Sequence, residues 1–173
     1  MDIFRPDQWH DFFLMVGGGA AALTGLVFVA MSINLALIAK DPTHRNRAIG
    51  TLTGFSAIFL ICAFTLLGSQ NHQTIGIEWL AVSIPAAFIY IRGYIVAIRK
   101  GGSVASLSVV RLIFGTGCYA AQILGAVVLM SGNISGLYIS AIAMVLSFTS
   151  LISGAWLLIT GSEDPMEPQS LVT

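Results

Sequence analysis

The sequence predicts an all-α fold, a polytopic transmembrane bundle of five spanning helices with its N-terminus outside and its C-terminus in the cytosol. Three observations carry this. Of 173 residues, 56% are hydrophobic and 9% charged, and the mean hydropathy is +0.87, whereas roughly a quarter of a soluble domain is charged. The apolar residues fall in charge-free runs long enough to cross a bilayer. The basic residues gather on one side of the topology that those runs define.

Crossing a hydrocarbon core about 30 Å thick takes about 20 apolar residues, because every backbone N–H and C=O there has to be satisfied within the helix. Charges therefore mark the ends. The first helix is expected over about 12–39, a stretch that opens after Asp11 and closes before Lys40. The second is expected over 42–68. Asp41 followed by Pro42 reads as an N-cap with proline at the first helical position, which places Arg45 and Arg47 on its first turns. The polar break Ser69, Gln70, Asn71, His72, Gln73 separates it from a third helix over 78–98, whose run 79–98 is interrupted only by Arg92.

After the corner Arg99, Lys100, Gly101, Gly102, residues 112–162 carry no charge. At about 1.5 Å per residue that run is far too long for one crossing. It has to turn once, and the turn formers Ser131, Gly132, Asn133, Ile134, Ser135, Gly136 mark the place, leaving helices over 107–130 and 136–160. Residues 1–161 thus form a single transmembrane domain. The acidic tail 162–173, with Glu163, Asp164, Pro165, Glu167 and Pro168, has too little apolar content to pack and is expected to be disordered and cytosolic. The start of the chain, with three aspartates and only Arg5 before the first apolar run, lacks the basic opening of a secretory signal, so that run is expected to stay in the mature protein.

Five crossings place the chain ends on opposite sides, and Lys and Arg in short loops decide which side is cytosolic. Lys40, Arg45, Arg47, Arg92, Arg99, Lys100 and Arg111 fall on one side and Arg5 alone on the other. The acidic tail does not oppose this, because Asp and Glu contribute little to orientation. Trp9, Trp79 and Tyr138 are expected at the outer interface, and Tyr94 and Trp156 toward the inner one.

Composition excludes several chemistries. The formal net charge is zero, which gives no footprint for nucleic acid. Gly17, Gly18 and Gly19 lie inside a spanning run with no strand before them and no Lys-Ser or Lys-Thr after, so they are no phosphate loop. His10, His44 and His72 all sit at or beyond the membrane boundaries, which rules out bis-histidine haem ligation in the bundle. His10 and His72 share the outer side, but lone loop histidines read as solvated polar residues rather than zinc ligands. Cys62 and Cys118 lie in apolar runs with no ligand spacing. Neither a metal nor any cofactor is expected. Asp, Glu, Lys and His are expected to be absent from every span, which disfavours a carboxylate relay for coupled transport and a membrane-embedded nucleophile and base. The sequon Asn133-Ile134-Ser135 sits in a short loop against the bilayer and reads as chance.

Three sets of candidate residues remain. Gly17, Ala21 and Gly25, four apart, read as a helix-packing face. Arg92, Arg99 and Arg111 are candidates for an anion or anionic lipid headgroup, against the plainer reading of Arg92 as a snorkelling anchor with Asp41 as the nearest acid. Gly115, Cys118, Gln122 and Gly125 form a stripe on the fourth helix, with Ser108, Arg111 and Gly132 continuing it, that reads as a packing seam or a pore lining. Similar seams run through Ser140, Ala143, Ser147, Ser150 and Gly154 and through Gly50, Gly54, Ala57 and Gly68. The Gln122 amide needs a partner, and a facing helix, a symmetry mate and pore water are the alternatives, with the facing helix expected.

The run Trp9, His10, Asp11, Phe12, Phe13, then Gly18 through Ala30 (GGAAALTGLVFVA), closing with Ser32, Ile33, Asn34 and Leu35, resembles a widespread bacterial family of small multi-pass inner-membrane proteins. Some members of that family are labelled modulators of a membrane-bound AAA protease. The likeness covers about the first forty residues, and the later helices match in hydropathy. It implies a bacterial cytoplasmic-membrane location and names no functional residues.

The expected function is that of a non-enzymatic assembly component or accessory subunit, with the bilayer, anionic headgroups and either copies of itself or other membrane subunits as partners. The alternative is a homo-oligomeric ion channel, anion-selective on account of its basic mouth. A membrane-embedded enzyme comes third.

Overall fold

The computed structural model describes residues 6–33, 42–68, 70–99 and 105–160, with side chains over 9–33, 45–46, 48–68, 70–96 and 109–156. It contains five helices: α1 (Pro6–Ile33), α2 (Pro42–Thr65), α3 (His72–Arg99), α4 (Ala105–Met130) and α5 (Ser135–Thr160). No strand occurs among the described residues, and all five helices are long and apolar enough to span a membrane. Asp41, residues 34–39 of the first expected helix and the tail 162–173 lie outside the described residues.

Two helices start earlier than charge and hydropathy suggest. α1 begins at Pro6, a residue whose fixed φ suits the first helical turn. α3 begins at His72 rather than near 78, because the Asn71 side chain caps it: Asn71 Oδ1 accepts the Thr74 N–H at 2.8 Å and the Thr74 hydroxyl at 3.0 Å. Polar residues at a membrane boundary do not stop a helix. They only keep its first turns out of the hydrocarbon. The expectation that every span lacks acids is corrected here, since Asp11 falls within α1 and Glu78 within α3. α2 stops at Thr65 rather than 68, and the chain turns through 66–68.

The α4–α5 turn lies where the turn formers stand. Gly132 takes φ +82°. Its N–H donates to Leu129 O at 2.9 Å while the Asn133 N–H donates to Val128 O at 3.3 Å, the paired bonds of a Schellman stop. Asn133 Oδ1 then accepts the Ser135 N–H at 2.9 Å and starts α5.

α2, α3, α4 and α5 each pack on their neighbours in a closed four-helix ring, and α1 lies outside it, along α2 and marginally against α5. Lipid is as apolar as leucine, so van der Waals fit rather than water exclusion holds such helices together, and small residues set how closely they approach. A Cβ on Gly125 would meet Ser140 and Gly136 of α5, one on Gly136 would meet the α4 backbone at Gly125 and Leu129, and one on Gly76 of α3 would meet Met130 and the Ala126 carbonyl of α4. The core beneath α1 is built on Phe13, Ile75, Trp79, Leu129 and Leu137. Trp79 is fully buried among the helices, and its indole N–H donates to Thr65 Oγ1 of α2 at 2.8 Å. That hydroxyl donates in turn to Ile61 O at 2.6 Å. Trp9 and Tyr138 do stand together, with ring centroids 4.9 Å apart.

The outer surface is apolar on all sides: Leu14 and Phe28 on α1, Ile84 and Phe88 on α3, Ile113 on α4 and Ile142 on α5 are exposed. Water would penalise such a surface heavily, and a bilayer does not.

Candidate functional site

Within the ring lies a partly open cavity of about 40 Å³. By the same measure one water-sized group needs roughly 10–15 Å³, so it takes about three. α2 contributes Gly54 and Ile58, α3 contributes Ser83 and Tyr90, α4 contributes Cys118 and Gln122, and α5 contributes Ser147 and Ser150. Toward the end of the bundle that bears Arg45, Arg92 and Arg111, three tyrosines converge. The Tyr90 ring lies against Tyr94 and Tyr119, its hydroxyl donates to Arg111 O at 2.7 Å, and it occupies the space that a side chain on Gly115 would need. At the other end Trp79, Leu129 and Leu137 fill the interior.

Gly115, Cys118, Gln122 and Gly125 all lie on the buried face of α4, so the stripe looks into its own bundle rather than toward a symmetry mate. Gly115, Cys118 and Gln122 border the cavity, while Gly125 sits at the crossing with α5. Gln122 is 5% exposed and Ser83 fully buried, and neither the Gln122 amide atoms nor Ser83 Oγ has a hydrogen-bond partner among the described residues. The facing helix that was expected to satisfy Gln122 supplies none.

Of the three basic candidates, the side chains of two are described. Arg92 is exposed on the outer side of α3, and Arg111 is half-buried on α4. Arg111 borders an open cleft of about 280 Å³ between α4 and α5, with Thr149, Ser150 and Ser153 opposite. The side chains of Arg99 and Ser108 lie outside the described residues.

The trio Gly17, Ala21 and Gly25 is divided. A Cβ at Gly17 would come within 2.8 Å of Cys62 Cβ, so this glycine seats α1 on α2. Ala21 and Gly25 are exposed instead, together with Gly18 and Ala22, and nothing lies within 4 Å of a Cβ placed at Gly18 or Gly25.

Charge-free runs alone leave out one polar pair. Gln70 Nε2 donates to Glu78 Oε1 at 2.9 Å, and Gln70 Oε1 and Glu78 Oε2 are buried without a partner among the described residues. The Asn71 cap was the available signal, because a helix starting there carries Glu78 on its second turn. Among the described residues no group of three or more His, Cys, Asp or Glu stands where it would hold a metal ion, and both cysteines are free and buried.

Five apolar helices with a lipid-compatible exterior define a multi-pass helical membrane protein. Compared with protein-family models, curated proteins and solved structures, the chain matches none of them.

Proposed function

We propose that this chain is a non-enzymatic assembly component or accessory subunit of a larger complex in a bacterial cytoplasmic membrane, oriented with its N-terminus outside. The observation that supports the role is the outward face of α1. Gly18 with Ala22, and Ala21 with Gly25, make two small-residue pairs four apart on an exposed surface, flanked by the exposed Leu14, Met15, Leu26 and Val29. Such a shallow groove between large side chains lets a second helix approach backbone to backbone, the geometry by which spanning helices associate in lipid. The resemblance to the bacterial inner-membrane family rests on these same residues of α1, and the crowding of basic residues at one end supports the orientation. Exposed Arg92 adds a contact for anionic headgroups.

The test is Ala22→Leu and Gly25→Leu, which fill the groove without touching the ring. Both variants are expected to keep the wild-type melting temperature and to lose self-association or co-purifying subunits, measured by size exclusion with mass determination in detergent. Unchanged particle mass and partners would refute the proposal. A closed ring of identical subunits that conducts ions in liposomes would replace it with the channel.

A further inference from the structure

We infer that the cavity inside the α2–α5 ring is a binding site for a small uncharged molecule that both donates and accepts hydrogen bonds, held by Gln122 of α4 and Ser83 of α3. Water and small solutes with a hydroxyl or amide group share this chemistry. Two polar side chains from different helices border the same cavity, each more than nine-tenths buried and neither paired with protein among the described residues. Elsewhere in the spans Tyr90 finds Arg111 O, Trp79 finds Thr65 and Thr24 finds Ala20 O, while Ser140 Oγ is also buried without a partner among the described residues but stands alone and away from this cavity. A buried amide left without partners is expensive, and the cavity has the room to supply them.

The wall selects the ligand. The Gln122 amide offers donors on Nε2 and an acceptor on Oε1, and Ser83 offers one of each. A molecule that only accepts, such as a halide or carbon dioxide, leaves Oε1 unsatisfied. Among the described residues no charged side chain borders the cavity. The nearest cation on the same helix, Arg111, stands eleven residues from Gln122, about 16 Å along the axis, so an ion here would be buried without a counter-charge. Ser150 borders both this cavity and the α4–α5 cleft beside Arg111.

Side-chain amide NMR on wild-type protein in lipid nanodiscs tests the site, with the Gln122 resonance assigned through its backbone connectivity. Cross-relaxation between the Gln122 amide protons and water identifies water as the occupant, and a saturable shift on adding formamide identifies an organic solute. Either supports the site. Absence of both, or a saturable response to chloride instead, overturns it. Gln122→Met and Ser83→Ala supply a second readout. Each is expected to lower the melting temperature, and the pair is expected to lower it little beyond one of them, because both lose the same ligand. A rise in melting temperature for Gln122→Met, as relief of an empty and unpaired amide would give, also overturns it.

Discussion

Tyr90 does two things with one side chain. Its hydroxyl ties α3 to the Arg111 carbonyl of α4, and its ring fills the space above Gly115. The two contributions separate by mutation. Tyr90→Phe removes one interhelical hydrogen bond in lipid and is expected to destabilise by about 0.6–1 kcal/mol. Gly115→Leu drives a side chain into the ring and is expected to cost about 1–3 kcal/mol as overpacking. Thermal unfolding in detergent measures both, and equal effects would contradict this division of roles. The importance of Gly115 was legible as a small residue on a stripe. That a tyrosine eight residues before Ile98 supplies the filling was not, because nothing local ties α3 to α4 at that level.

At the scale of elements, the α4–α5 turn shows local chemistry deciding structure. Gly132 sits at φ +82°, a backbone region that costs an L-residue about 1–2 kcal/mol. Gly132→Ala is therefore expected to destabilise by about that amount. Gly117→Ala, at an exposed helical glycine with open space around it, is expected to raise stability by up to about 1 kcal/mol through helix propensity. Melting temperatures that move in the same direction for the two variants would refute the assignment. The helix starts behave differently. Hydropathy marks where the hydrocarbon begins, whereas Pro6 and the Asn71 cap mark where the helix begins, and in α3 these differ by enough to bring Glu78 inside.

For the whole molecule, the basic side chains Arg45, Arg92 and Arg111 share the end where α2 and α4 begin and α3 ends. Reporters fused after Lys40, Lys100 and Thr173 are expected to read cytosolic, and those after Gln70 and Gly132 external. A cytosolic signal at Gln70 would reverse the orientation, and an external signal at Thr173 alone would change the number of crossings. The ring of α2 to α5 holds the cavity that Gln122 and Ser83 border, and α1, outside the ring, carries the exposed small-residue face.

Charge-free length and turn chemistry by themselves determined five helices, the turn at Gly132 and the one-sided crowding of basic residues, because a bilayer imposes a fixed span and every backbone group within it has to be paired. Only the tertiary structure decided which faces turn inward. A soluble helix announces its buried side by a stripe of apolar residues, but a helix in lipid is apolar all round, so Gly17 and Gly25 look alike in the sequence while one meets Cys62 and the other meets nothing. Gln122 was readable as a group in need of a partner. That it faces the lumen of its own bundle beside Ser83, with a cavity in place of a partner, follows from how four helices close into a ring, and no interval along the chain encodes that closure.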